Sequence, residues 1–323
     1  MRKNILLAPI AALLAAAPVS AQEEEKKEYP SPNAIVDAAP ASDWKAIAAS
    51  DLLVMDLAPD AEGNKRRVII QLMPEPFSQG WIRNIRKLAA AKFWDGTSIN
   101  RVQDNYVVQW GDAGYDNPES GETEQKALPE GLEVVPEWQY DGVDPSKEEV
   151  IVLHPSEYVL DETYSGWANF VDGWPIGSAT DGGDWPIHCY GAVGVGRNYS
   201  PDTGTGAELY TVIGHAPRHL DRNIAVVGRI IEGIEHLSSL PRGKGQLGFY
   251  ADASKRIPIT SIRMGDELEQ LPQPAFEYLD TASEAFARYA DARANRRDPF
   301  FIKPAGGADI CNIPVPVRRV AAD

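Results

Sequence analysis

The feature that most limits the possible folds is a series of short apolar runs separated by turn-forming residues. Runs of this kind predict strands, and a turn-rich segment between two neighbouring runs predicts a hairpin. The predicted strands cover residues 52–57, 67–72, a short segment around Ile99, 106–110, 190–195, 209–213, 225–231 and 257–264. The sequence therefore predicts a mainly β domain whose strands are mostly antiparallel.

Helices are expected at three places along the chain. A helix after Pro76 is indicated by apolar residues at helical spacing, namely Phe77, Trp81, Ile85 and Leu88. A brief helix is predicted over residues 234–240. A C-terminal amphipathic helix is predicted after Pro274 from the apolar positions Phe276, Leu279, Phe286 and Tyr289.

The first 21 residues have the pattern of an export signal. Arg2 and Lys3 precede an apolar run over residues 5–19, and small residues end the segment at Ala21. The run is shorter than the about 20 residues that a membrane-spanning helix needs. We therefore expect a cleaved signal peptide over residues 1–21 and a periplasmic protein without a stable membrane anchor. An uncleaved N-terminal anchor is the alternative.

The rest of the chain divides into three predicted segments. Residues 22–50 are charged and Pro-rich, which indicates a solvated linker. Residues 51–265 form the predicted domain, and within it residues 113–187 are interpreted as a long surface insertion whose one convincing strand is 150–153. Residues 266–323 are interpreted as a C-terminal helix and tail.

Charge and cysteine content restrict the function further. The net charge of −16 becomes more negative when the signal peptide is removed, and an acidic chain repels phosphate backbones. We therefore expect no nucleic-acid partner. Cys189 and Cys311 are the two cysteines, and the alternatives are one disulfide or two buried thiols. No metal or cofactor is expected, because two cysteines cannot form a structural zinc site and no complete phosphate-binding loop is present.

Two blocks of the chain resemble the cyclophilin signature. The first runs from Phe93 to Val102 and continues over residues 106–112, and the second comprises residues 206–210, 219–223 and 226–233. The resemblance covers residues 51–112 and 187–265. It implies a cyclophilin-like closed eight-stranded antiparallel β-barrel capped by two helices, with the insertion and the C-terminal extension added. It also implies a peptidyl-prolyl cis-trans isomerase that acts on proline-containing polypeptides.

The resemblance also implies roles for individual side chains. Arg101 is the expected catalytic guanidinium, and Gln109 is expected to orient it or the bound peptide. The expected substrate-binding residues are Tyr106, Val107, Glu208, Tyr210, His219, Leu220 and Ile224.

Several of these positions depart from the family pattern. Tyr210 stands where the family has Phe, and its hydroxyl needs a partner if it is buried. Glu208 stands where the family has Gln, and its carboxylate is expected to be able to pair with Arg101. His219, Ile224 and Trp110 are further substitutions.

Two other functions remain compatible with the sequence. One is a non-catalytic peptide-binding or chaperone module on the same fold. The other is a glycan-binding envelope protein, because tryptophan faces stack on sugars and the insertion is rich in tryptophan.

Overall fold

The computed structural model describes residues 29–115, 117–143, 159–161, 163–179, 182–268 and 273–320. The predicted signal peptide and the strand predicted over residues 150–153 lie outside the described residues.

The described residues contain four α-helices and fifteen strands. The helices are α1 (Pro32–Asp37), α2 (Gln79–Ala90), α3 (Glu235–Ser238) and α4 (Glu284–Ala294). The strands are β1 (Trp44–Ile47), β2 (Leu52–Leu57), β3 (Arg66–Leu72), β4 (Ser98–Val102), β5 (Val107–Gly111), β6 (Val159–Asp161), β7 (Trp167–Val171), β8 (Trp174–Ser178), β9 (Asp184–Pro186), β10 (Ala192–Val195), β11 (Leu209–Val212), β12 (Val226–Glu232), β13 (Ile257–Met264), β14 (Phe276–Leu279) and β15 (Val317–Arg319).

Eight strands close into one barrel in the order β10-β11-β5-β4-β13-β2-β3-β12. Neighbouring strands are antiparallel, and β2 and β3 form the hairpin that the turn-rich segment between them predicted. Closure removes the unpaired edges that an open sheet of this size would expose. The predicted fold class, a closed eight-stranded antiparallel barrel, is confirmed.

Helices α2 and α3 pack against the barrel core. Helix α2 buries Trp81, Ile85 and Leu88, which lie on the predicted apolar face, and Leu237 of α3 is also fully buried. Burying one Leu-sized side chain contributes about 1.5–3 kcal/mol. These contacts fix α2 on the barrel, and the strand pairs and the loops between them then determine the positions of the catalytic candidates.

The predicted linker and the predicted tail form a small sheet together. Strand β14 pairs with β1 on one side and with β15 on the other. The structure therefore corrects two expectations: residues 32–47 are not a solvated linker, and residues 276–279 form a strand before the helix begins at Glu284. The physical reason is burial, because Trp44, Phe276 and Leu279 each lose nearly all exposure when the two ends of the chain meet.

The described part of the insertion contains a four-stranded sheet in the order β6-β7-β8-β9. Trp174 and Ile176 belong to the same buried cluster as the barrel core, and Phe170 packs edge-on against Phe286 of α4 with ring centroids 5.0 Å apart. Parts of the insertion are thus buried rather than spread over the surface. Cys189 and Cys311 are joined by a disulfide whose Cα atoms lie 5.1 Å apart.

Candidate active site

The expected site residues meet in a cavity of about 520 Å³. Its walls come from β4, β5 and β11, from the turn that contains Leu220, and from three loops around Asn117, Arg197 and Leu247. Eight of the nine expected residues line it, namely Arg101, Tyr106, Val107, Gln109, Glu208, Tyr210, Leu220 and Ile224. The ninth, His219, stacks on Tyr106 with ring centroids 6.1 Å apart.

A β-bulge aims Arg101 at this cavity. The pairing of β4 with β5 passes from Ile99 opposite Trp110 directly to Arg101 opposite Gln109, so Asn100 is an extra residue on β4. A bulge of this kind increases the local twist and redirects the side chain that follows it. Arg101 and Gln109 therefore become direct cross-strand neighbours.

The Arg101 guanidinium is held by three neutral oxygen atoms. Nε donates to the Leu247 carbonyl at 2.7 Å, Nη1 donates to Gln109 Oε1 at 3.1 Å, and Nη2 donates to Gln103 Oε1. A guanidinium carries five N–H donors, so two have no partner within the described ranges. Burial lowers the pKa of Arg101, and the nearby Tyr106 and Glu119 only partly offset this effect. Arginine stays charged despite such a shift.

One wall of the cavity is apolar. Val107 is buried, and Tyr106, Leu220 and Ile224 are partly buried against the barrel core. Tyr106 lies beneath the Arg101 guanidinium, whose central carbon is 5.8 Å from the ring centroid. A fixed cation thus stands beside an apolar recess, which is an arrangement that can bind a proline ring and hydrogen-bond the adjoining peptide group.

A comparison with protein-family models matches residues 61–264, most of the chain, to the family described as cyclophilin type peptidyl-prolyl cis-trans isomerase/CLD. The chain belongs to this family of isomerases. The match spans seven of the eight barrel strands, and only β2 lies before its first residue. A comparison with curated proteins finds no match.

Solved cyclophilin structures are similar in fold. A cyclophilin from Hirschia baltica superposes with a TM-score of 0.58 at 19% identity, covering 87% of this chain and 94% of that one. A cyclophilin-type isomerase from Cryptosporidium parvum, crystallised in the presence of the dipeptide Ala-Pro, gives a TM-score of 0.36 at 12% identity, covering 65% of this chain and 98% of that one.

Glu208, one of the substitutions relative to other cyclophilins, does not contact Arg101. Its Oε2 accepts a hydrogen bond from Gln109 Nε2 at 3.3 Å, and no ion pair joins it to Arg101 in the described part of the chain. The expected pairing is therefore replaced by a bridge, because the Gln109 amide accepts from Arg101 with its oxygen and donates to Glu208 with its nitrogen.

Burial also changes the charge of Glu208. It raises the pKa of the carboxyl well above its usual value, and hydrogen bonding from Gln109, the first of the opposing influences, does not offset it. Gly111 makes room for this carboxyl, since a Cβ added at that glycine would overlap Glu208 Oε1. Burial therefore favours the neutral form of Glu208, in which it is isoelectronic with the family's Gln.

Tyr210, the other main substitution in this cyclophilin, has a buried partner for its hydroxyl. The hydroxyl lies 2.9 Å from His188 Nε2, and His188 Nδ1 lies 2.8 Å from Asp221 Oδ1. Arg218 Nε donates to the other oxygen of Asp221 at 2.6 Å. Burial acts to raise the pKa of Asp221, but His188 and Arg218 outweigh it, so the pKa is lowered and the carboxylate accepts both bonds. The polar end of Tyr210 is thus satisfied away from the cavity.

Sequence reasoning missed several residues of the site. Phe249 packs 5.6 Å from the central carbon of the Arg101 guanidinium, and Leu247 and Gln103 supply two of its acceptors. Asn117 accepts from Gln109 at 3.0 Å. The one sequence feature that indicates any of these residues is the Gly-rich segment around Leu247, whose composition is typical of a turn. The family signature does not include these positions, and their contacts arise where loops pack beside β4 and β5.

Proposed function

We propose that this protein accelerates rotation about X-Pro bonds in exported polypeptides, with Arg101 as its central catalytic residue and the apolar recess beside it as the proline pocket. The observation that carries this proposal is the placement of a guanidinium with two free N–H donors next to Tyr106, Val107 and Leu220 in one cavity.

The chemistry requires no nucleophile, because the barrier comes from amide resonance. Rotation about a peptide bond costs about 18–20 kcal/mol, since the C–N bond has partial double-bond character. A donor that hydrogen-bonds the prolyl peptide more strongly in the twisted state lowers that barrier. The free N–H groups of Arg101 can serve this purpose, and the Gln109 carbonyl keeps the guanidinium facing the cavity.

The hydrogen bond from Arg101 accounts for only part of the proposed rate acceleration. A hydrogen bond to a charged group contributes about 1.5–3 kcal/mol, which corresponds to about 10- to 150-fold in rate. The remaining acceleration must come from holding the proline ring in a dry pocket. There Tyr106 and Leu220 exclude water, so the twisted peptide group hydrogen-bonds to the protein and not to solvent. The neutral form of Glu208 supports this arrangement, because it adds no negative charge that would attract the guanidinium away from the substrate.

We also propose that the protein acts in the periplasm after removal of residues 1–21. The support is the basic start, the apolar run and the small residues of that segment. Within the described ranges no helix is both long enough and apolar enough to cross a bilayer. Fractionation of cells that express the full chain, followed by mass spectrometry of the mature N-terminus, tests this; a chain that retains residues 1–21 would overturn it.

A protease-coupled assay with a proline-containing test peptide tests the catalytic proposal. We expect the chain from residue 22 to accelerate isomerisation and Arg101→Ala to lower kcat/KM by about 10- to 150-fold. Arg101→Lys should fall between the two, because lysine keeps the charge but not the planar fork. Arg67→Ala is the matched control, since Arg67 pairs with Asp56 and does not line the cavity.

The same assay separates the isomerase from a non-catalytic peptide-binding module. A chain that binds the peptide, as measured by calorimetry, but shows equal and negligible acceleration with and without Arg101 would contradict the catalytic proposal. The glycan-binding alternative has less support, because Trp174 and Trp185 are buried and Trp138 is half-buried, which leaves Trp167 as the exposed tryptophan of the described part of the insertion.

A further inference from the structure

A second cavity, of about 360 Å³, lies where the barrel meets the insertion and the C-terminal segment. We call it the rear cavity. Its wall is mainly apolar, and the residues that matter for the argument are Phe170, Trp174, Ile187, Ile230, Ile313 and Val315. No residue lines both the rear cavity and the candidate active site. A function of the rear cavity is therefore independent of the proposed isomerase reaction.

Arg229 of β12 is half-buried and lines this cavity. Its Nε donates to Gln71 Oε1 at 2.9 Å and its Nη1 donates to the Gly173 carbonyl at 2.6 Å. Its central carbon lies 4.5 Å from the centroid of a Trp174 ring. Nη2 is buried, but it has no hydrogen-bond partner among the described residues. Of the five N–H donors of this guanidinium, three therefore have no partner within the described ranges, and two of these three are on the buried Nη2.

The guanidinium remains charged in this position. Burial lowers the pKa of Arg229 to about 10, which is still well above neutral pH. No carboxylate forms an ion pair with Arg229 in the part of the chain that the structure describes. Leaving a buried cation without a counter-charge is costly, because the lost hydration is not replaced. A bound anion would remove that cost.

The charge of the rear cavity's wall also favours an anionic ligand. Arg293 also lines the rear cavity, and its Nε and Nη2 donate to the Asn312 carbonyl rather than to a carboxylate. Among the described residues that line the cavity there is no Asp or Glu. A region with two arginines and no acidic group is unusual in a chain with 47 acidic and 31 basic residues. The local field therefore favours an anionic ligand.

We propose that the rear cavity binds a small amphiphilic carboxylate, with its carboxylate on Arg229 Nη2 and its apolar body against Trp174 and Ile313. The volume lies within the range typical of small-molecule sites and equals that of about a dozen water molecules. A carboxylate suits the site better than a phosphate, because one free Nη2 offers two donors and a phosphate presents more acceptors than these.

The test uses decanoate as the probe and decanol as its neutral counterpart. Calorimetry and the fluorescence of the tryptophans should show saturable binding of decanoate to the disulfide-bonded mature chain. Arg229→Met removes the charge and keeps an apolar side chain of similar length, and it should weaken decanoate binding by about 10- to 150-fold. Arg67→Met on the neighbouring strand is the matched control and should leave the affinity unchanged, because Arg67 is paired with Asp56 and lies outside the rear cavity.

A second variant keeps the proposal testable if Arg229→Met fails to fold. Val315→Phe enlarges a half-buried side chain of the wall and should abolish decanoate binding by occupying the space. The isomerase assay on both variants should be unaffected, so failure of this proposal is distinguishable from failure of the proposed function. Absence of decanoate binding, equal binding by Arg229→Met, or equally tight binding of decanol would each overturn the proposal.

Discussion

Glu208 provides a sharp test of how burial controls charge beside Arg101. The side chain is only 4% exposed, and its pKa is raised well above the usual value. The like charge of Asp112 raises the pKa of Glu208 further and so adds to the effect of burial. Glu208→Gln keeps the shape of the side chain and the hydrogen bond from Gln109, and it removes the titrating proton.

The sign of the effect follows from proton linkage. In the unfolded chain Glu208 ionises near its ordinary value of 4.5, whereas in the folded protein it keeps its proton to a much higher pH. Between these two values the folded state binds one more proton, so the free energy of unfolding falls as pH rises. The contribution is fully present below the unfolded pKa and is lost as pH rises toward the folded one.

The size of the effect is set by one proton. Each pH unit over which Glu208 is protonated in the fold and ionised in the unfolded chain corresponds to about 1.36 kcal/mol, so above pH 5 the stability of the wild-type protein should fall progressively relative to that of Glu208→Gln. Urea unfolding curves at closely spaced pH values measure this difference directly. The variant should be the more stable protein at pH 7, and it should retain isomerase activity.

Glu133→Gln is the control of opposite sign. The hydrogen bond from Arg83 is the main reason why the pKa of Glu133 is lowered to about 2, so this carboxylate is ionised in both states between pH 5 and pH 7. Replacing the Glu133 carboxylate should lower the free energy of unfolding by an equal amount throughout that pH range. The plot of this free energy against pH should therefore run parallel to that of the wild-type protein. Parallel curves for Glu208→Gln and the wild type would refute the argument that burial keeps Glu208 neutral.

Three further changes test other parts of the structure. Tyr210→Phe leaves His188 Nε2 buried without its partner, so the free energy of unfolding should fall by about 1–3 kcal/mol while isomerase activity is retained; unchanged stability would contradict the hydrogen bond. Replacing both Cys189 and Cys311 by Ser opens a link across 122 residues and should cost about 5 kcal/mol in urea unfolding, whereas a loss below 1 kcal/mol would show that the C-terminal segment is held to the body by packing alone. Gln109→Leu removes the acceptor that orients the catalytic guanidinium and should lower kcat/KM by about 2- to 10-fold in the protease-coupled assay; an unchanged value would mean that the backbone carbonyl of the neighbouring loop suffices.

Local patterns are sufficient for the individual barrel strands and for α2 and α3, whereas closure of the barrel is expected only from the resemblance to cyclophilins. The apolar face of α2 and the hairpin of β2 and β3 depend on residues that are near one another in sequence, so spacing and turn chemistry predict them. The strand β14 was mistaken for part of a helix, because Phe276 and Leu279 fit helical spacing as well as they fit a short strand. Short apolar segments are ambiguous in this way until their partners are known.

The candidate site was predictable to the extent that it lies within the family signature. Arg101, Gln109 and the apolar wall were expected from the motif, and the structure brings them to one cavity. The partners of substituted residues could not be expected. His188 receives the Tyr210 hydroxyl, and Gln109 stands between Glu208 and Arg101, because those contacts depend on how separate segments pack rather than on their spacing.

The sequence by itself determined the class of fold, the order of the barrel strands along the chain, and the identity of the arginine on which the proposed reaction depends. These follow from periodicity and from a motif, both of which are local properties. Only the tertiary structure decided that the two ends of the chain form one sheet, that Glu208 is buried away from water, and that Arg229 is left with unused donors in an apolar cavity. Burial and charge compensation are properties of the whole assembly of segments, so no single stretch of sequence contains them.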